Sequence, residues 1–220
     1  MNISVFSGRT ALFAGAAILA GGVLAAMVLV AQASAGLEQP GYTVEAEQGP
    51  IEIRRYGSMA AAEVVVSGDR SAATRKAFRI LFSYISGNNE AEEKVAMTAP
   101  VRQETVAEKI AMTAPVTQTS AGADEWRVAF YLPAQYTAET APRPLDERVK
   151  RITVPGGLVA AIRFSGRWTD SNFDRHLSKL NAYLAESGRE VAGAPVYAYF
   201  NDPFTLPPFR RNEIQIPLVD

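Results

Sequence analysis

The sequence predicts an α+β fold: a curled antiparallel sheet built from two related halves, each running strand, strand, helix, strand, strand. Three observations predict it. Strand-like and helix-like patterns succeed one another twice in the same order. Val64-Val65-Val66-Ser67-Gly68 precedes the first helical pattern as Ile162-Arg163-Phe164-Ser165-Gly166 precedes the second, and the two patterns stop at Ser86-Gly87 and Ser187-Gly188. Two helices cannot cover eight strands on both faces, so the sheet is antiparallel and curled, with the helices outside it or across one opening.

The first half opens with strands at Ile51 to Tyr56 and Ala60 to Val66. A helix follows from Ser71 to Ser86, with Ser71 as its expected N-cap. Phe78, Leu81, Phe82 and Ile85 fall at i, i+3, i+4 and i+7, one apolar stripe. Trp126 to Leu132 alternates, with Trp126, Val128, Phe130 and Leu132 on one face. The second half begins with strands at Val149 to Val154 and Leu158 to Phe164. Its helix spans Ser171 to Ser187, where Ser171 and Asp174 resemble a capping box and Phe173, Leu177, Leu180 and Leu184 form the apolar face. Glycine after each helix accepts the left-handed conformation that ends it. Val196 to Phe200 and Glu213 to Leu218 supply the last two strands.

An octapeptide repeats between the first helix and Trp126. Lys94-Val95-Ala96-Met97-Thr98-Ala99-Pro100-Val101 returns fifteen residues later as Lys109-Ile110-Ala111-Met112-Thr113-Ala114-Pro115-Val116. The period is too short for a solenoid unit. Each copy reads as a strand that stops at its proline.

Composition narrows the function. The 220 residues are 48% apolar and 20% charged, with a formal net charge of −1, as in an ordinary folded protein with no electrostatic case for nucleic acid. Without cysteine there is no disulfide, thiolate zinc site, cysteine nucleophile or covalent haem attachment through CxxCH. The single histidine, His176, excludes any site that needs two imidazoles.

Residues 1–37 stand apart from the predicted domain at 38–220. No charge occurs from Thr10 to Leu37, and Ala11 to Ala31 is almost wholly apolar, long enough as a helix of about 30 Å to cross a bilayer. Ala33-Ser34-Ala35 also fits the pattern before a signal-peptide cleavage site. An uncleaved anchor and a cleaved signal both remain open. Both place residues 38–220 outside the cytoplasm, periplasmic or anchored at the inner membrane, because Arg9 precedes the apolar run.

Tyr42-Thr-Val-Glu45, Ile51-Glu-Ile-Arg-Arg-Tyr56, the paired AMTAPV segments, Phe164-Ser-Gly166 and the run Asn201-Asp202-Pro203-Phe204-Thr205-Leu206-Pro207-Pro208-Phe209-Arg210-Arg211-Asn212-Glu213 occur here in that order along the chain. Together they resemble the SOUL haem-binding protein family over roughly residues 40 to 219. The resemblance implies a distorted antiparallel β-barrel of two pseudo-symmetric halves with two helices. It also implies non-covalent binding of haem or another tetrapyrrole, as a carrier, buffer or sensor, against the first helix and the proline-rich loop. The helix ending Tyr84-Ile-Ser-Gly87 matches the family pattern. Vertebrate members can carry a lysine in the loop, whereas Pro203 to Phe209 is uncharged here.

The ligand-binding candidates are therefore Arg75, Phe78, Phe82, Leu206, Phe209 and Arg210. A cation beside aromatic rings suits a flat apolar ring with two acidic tails. Each has a structural reading as well: Phe78 and Phe82 as core, Arg75 as a solvated face, the loop as a flap over the barrel end, and Arg210-Arg211 as ion-pair partners of Glu213. His176 can ligate iron or can be a half-exposed helix residue. Met97 and Met112 can ligate iron or can pack. No nucleophile–base constellation stands out, so the expectation is a binding protein rather than an enzyme. The other readings are an effector-binding domain for a different apolar molecule, a tetrapyrrole-modifying enzyme, and a structural envelope domain without a small ligand.

Overall fold

Ile51 and Ile53 alternate with Glu52 and Arg54, and a strand resolves this pattern by turning isoleucines to the core and charges to the other face. The same rule builds most of the sheet in the computed structural model, which describes residues 36–91 and 107–220. The N-terminal apolar segment, Ala33-Ser34-Ala35, and the first octapeptide copy with Met97 lie outside the described residues. Among the described residues no helix is long and apolar enough to cross a membrane.

In chain order the elements are β1 (Tyr42–Gln48), β2 (Ile51–Tyr56), β3 (Met59–Ser67), α1 (Arg70–Ile85), β4 (Asn89–Glu90), β5 (Val116–Gly122) and β6 (Glu125–Tyr131). They continue with β7 (Arg143–Pro144), β8 (Lys150–Val154), β9 (Gly157–Phe164), α2 (Asp170–Ser187), β10 (Val196–Tyr199), a 3₁₀ turn (Pro207–Phe209) and β11 (Asn212–Pro217). Nine strands form one sheet in the order β1-β2-β9-β11-β10-β5-β6-β3-β8, and β4 pairs separately with β7. Every pairing in the large sheet is antiparallel. It curls into a half-barrel whose edges, β1 and β8, stay apart in the strand order.

The two predicted halves are present, but they exchange their first strands. β2 pairs with β9 of the second half, and β8 pairs with β3 of the first. The halves meet again where β10 pairs with β5. The connections β2–β3 and β8–β9 cross each other, and Gly156 sits at the crossing. A Cβ there would lie 2.6 Å from the Tyr56 carbonyl oxygen and 2.8 Å from the Gly57 carbonyl carbon.

Both helices pack on the same face of the sheet. Ala73, Ala77, Leu81, Tyr84 and Ile85 of α1 join Ala60, Ala62, Val64, Val128 and Phe130 in one core. Phe173, Leu180 and Leu184 of α2 join Ile53, Ala160, Ile162, Ile214 and Ile216 in a second. The helix starts are tied by Arg70, whose Nε donates to Asp170 Oδ1 at 2.9 Å and whose guanidinium lies over Phe173.

Several expectations are corrected. Asp69, not Ser71, caps α1, because its carboxylate accepts from the Ala72 N–H at 2.8 Å. Thr169, not Ser171, caps α2, while Gly188 ends it at φ 65° as expected. The buried stripe of α1 runs Ala73, Ala77, Leu81, Tyr84, so Phe82 falls beside it and is exposed. In the second octapeptide no strand stops at Pro115. Only Thr113 makes an isolated bridge, to Glu38, and β5 begins at Val116, after the proline. A proline lacks the N–H that a strand interior needs but is tolerated just before one starts.

Replacing Gly156 by alanine should lower the melting temperature, at a cost of about 2 kcal/mol, since backbone rather than a flexible side chain blocks the Cβ. Thermal unfolding followed by circular dichroism checks this; an unchanged midpoint would mean the crossing is loose.

Candidate functional site

Arg54 and Glu213 project from β2 and β11 onto the face opposite the helices. Those strands flank β9, and between them at the level of Glu52 and Gln215 stands Ala161. This small side chain leaves room for Arg54 to reach diagonally over β9. Its Nη1 donates to Glu213 Oε2 at 2.7 Å and its Nη2 to Oε1 at 3.1 Å. Arg211 adds Nε and Nη2 donors to Oε1 at 3.0 and 2.7 Å, and Gln215 Nε2 donates to Oε2 at 2.9 Å. Arg54 also donates to Glu52 and to the Tyr56 hydroxyl. Arg54 is 1% exposed and Glu213 0%.

Burial pushes the Glu213 carboxyl up, yet the hydrogen bonds and charges of Arg54 and Arg211 outweigh it and hold the group below the ordinary carboxylate range. Burial also pushes the Tyr56 hydroxyl up to about 12, so it stays protonated. Arg211 thus takes the structural role open to the arginine pair.

Arg210 takes a different one. It donates through Nε to the Thr205 carbonyl at 2.8 Å and through Nη2 to the Pro203 carbonyl at 2.9 Å, with its guanidinium 4.1 Å over Trp168. Asp202 Oδ1 accepts from the Phe204 and Thr205 N–H groups at 2.8 and 2.9 Å. The Gly166 N–H donates to the Pro207 carbonyl at 2.9 Å, joining the Phe164-Ser-Gly166 motif to the loop. These bonds rigidify residues 202–210 while their apolar side chains face outward: Phe204 is 90% exposed, Leu206 51% and Phe209 52%.

On α1, Phe78 is half-buried against Phe130, with centroids 5.3 Å apart, and stacks on Phe82 at 5.7 Å. Phe82 is 47% exposed. Arg75 is exposed and donates to Ser71 Oγ. Exposed Arg79 lies one turn beyond it, on the side that carries Phe82.

His176 is half-exposed on α2, stacked on Phe164 with centroids 3.9 Å apart, and its Nδ1 lies 2.7 Å from the Asn172 carbonyl oxygen. Met112 packs against the α1 core. No cluster of metal-ligating side chains occurs among the described residues.

The profile of the SOUL heme-binding protein family matches residues 37–217, which contain both the buried network and the loop. The chain belongs to that family. Human Heme-binding protein 2 is 30% identical over 189 residues, covering 83% of this chain and 86% of its own. The SOUL fold extends to remote structures. The EcmrR C-terminal domain superposes with a TM-score of 0.53 at 10% identity, over 81% of this chain and 98% of its own. An uncharacterized conserved protein from Listeria innocua superposes at 0.52 and 16%, over 79% and 94%.

Beside the ligand-binding candidates named from sequence, this SOUL domain also exposes Arg79 on the Phe82 side of α1 and Phe204 in the loop. Arg79 was legible as i+4 from Arg75, and Phe204 was visible in the loop. The Arg54–Glu213 pair had no sequence signal, because 159 positions separate the partners.

Glu213→Gln should destabilise the SOUL domain by about 3 kcal/mol, leaving buried Arg54 with only the partly exposed Glu52 as counter-charge. The folded pKa of Glu213 is lowered, so its stabilisation is full above the unfolded value near 4.5 and is lost as pH falls through the lower folded value. Urea midpoints measured from pH 6 downward should fall more steeply for the native chain than for the variant. Parallel curves would remove Glu213 from the acid response.

Proposed function

We propose that this chain binds haem or a related tetrapyrrole reversibly and non-covalently, as a carrier, buffer or sensor. The observation that carries the reading is the exposed Phe82 stacked on Phe78, on a helix side that also presents Arg75 and Arg79. Membership of a heme-binding family supports it. Phe78 and Phe82 would take one face of the macrocycle, and Arg75 and Arg79 its propionates. The rigid loop would add Leu206, Phe209 and Phe204 as a second apolar surface. Arg210 would hold that loop through its carbonyls while keeping one nitrogen for a carboxylate.

The residues present fit the ring and its acidic tails. Bound haem supplies an iron centre whose chemistry belongs to the porphyrin; the side chains named here hold the ring and exclude water. Burying about 300 Å² of apolar ligand surface contributes roughly 7 kcal/mol before association costs, so binding of micromolar or weaker affinity needs no axial ligand. We assign no axial role to His176, whose ring is already stacked and hydrogen-bonded.

A difference-absorbance titration of Gly36–Asp220 with haemin, beside metal-free protoporphyrin, should give saturable one-to-one shifts with both. Arg75→Glu and Phe82→Ala should each weaken binding about tenfold with the fold intact. Unsaturable spectra, or unchanged affinity in both variants, would overturn the site.

We further propose that residues 38–220 act outside the cytoplasm, delivered by the apolar segment at 11–31. Cell fractionation with N-terminal sequencing should find the product at the membrane, or cut after Ala35. A full-length cytoplasmic product would refute export.

A further inference from the structure

The face of the sheet opposite the helices encloses a cavity of about 430 Å³, within the range of small-molecule sites. Both halves contribute: Tyr56, Val196, Phe200 and Gln215 from one side, Met59 and Tyr131 from the other. The segment before β1 crosses its mouth. Glu38 accepts from the Ala114 N–H at 2.9 Å, and Gln39 accepts from Arg211 Nη1 at 3.1 Å, which sets Gln39 and Pro40 into the wall.

The chemistry of the lining is specific. Tyr56 accepts a hydrogen bond from Arg54 Nη1 at 3.2 Å, so its own proton can be donated elsewhere. Gln215 spends its Nε2 on Glu213, which leaves Oε1 as an acceptor. Arg54 lies 4.4 Å over the Tyr42 ring and Arg211 3.9 Å over the Phe200 ring, and both rings line the cavity. A ring already satisfying a cation on one face offers less negative charge on the other, so these walls do not attract a second cation. Glu213 is saturated by five donors, so the buried carboxylate is not left to recruit one, and Asp220 at the rim is paired with Arg55 at 2.8 Å.

We propose that this cavity is a second ligand site, distinct from the α1 and loop surface, for an uncharged flat aromatic molecule of two or three rings. Such a ligand stacks against the tyrosine and phenylalanine walls, takes a hydrogen bond from Tyr56 and gives one to Gln215. The site is independent of the tetrapyrrole reading.

The test is fluorescence titration of Gly36–Asp220 with the neutral fluorophore N-phenylnaphthylamine, followed by competition with the methyltriphenylphosphonium cation. Saturable one-to-one binding is expected, weakened at least tenfold by Val196→Trp, unchanged by Phe82→Ala and not displaced by the cation. Val159→Phe, which fills the same cavity from β9, stands in should Val196→Trp fail to fold. Haemin affinity should be unchanged in the cavity variants. Absence of saturable binding, displacement by the cation, or loss of binding in Phe82→Ala with retention in the filled variants would overturn the proposal. Failure of haemin to bind would leave it standing.

Discussion

Glu213 is a carboxylate held without solvent, and much of the architecture follows from keeping it charged. Removing such a group from water costs several kcal/mol unless good geometry returns it. Here two guanidiniums and an amide supply five hydrogen bonds to its two oxygens. Arg211 is local, two residues away on the same chain. Arg54 is not: it must stand two strands distant, with only an alanine between. The pairing of β2 with β9 rather than with β3 meets that requirement. Once β2 leaves its own half, β8 occupies the vacated edge of β3, and the two connections must cross where only glycine fits.

The strand exchange explains why the halves are similar without being equivalent. On the same face of the first half, Glu63 pairs with Arg127 at 3.0 Å, but that arginine is 48% exposed. The buried network instead joins β2 of the first half to β11 of the second. It anchors β2, the C-terminal strand and, through Gln39, the segment that leads into β1.

The sheet therefore separates two kinds of work. Its helix-bearing face is filled by the two cores and leaves only the outer side of α1 and the proline-rich loop to present aromatic surface. The opposite face is not filled by a helix, and its cavity is walled by rings that the arginines polarise from behind. A rigid loop with three large apolar side chains exposed would be a poor choice for solubility alone, which is the physical reason to read it as a ligand surface.

Periodicity made most elements legible, because a strand or helix that buries one face must show it in the spacing of apolar residues. Trp126 to Leu132 illustrates the success, since Val128, Phe130 and Leu132 do enter the core. β5 illustrates the failure. Its core-facing Gln118 is fully buried, satisfied by Thr74, Tyr199 and the Arg70 carbonyl, so this central strand lacks the apolar alternation that marks the others. The caps lie two residues before the expected ones because several residues near each helix start can cap, and the choice falls to the one whose backbone is extended at the right point. As ligand-binding candidates, Arg75, Phe78, Phe82, Leu206, Phe209 and Arg210 could be named from the sequence, but not that Arg210 would tie the loop while Arg211 turned to Glu213. By itself the sequence determined the two-half order of elements, the family, the apolar faces and the rigid proline-rich loop, all of which depend on neighbours in the chain. The tertiary structure alone decided the strand exchange, the burial of Glu213 and the cavity behind it, because each depends on side chains brought together across more than a hundred residues.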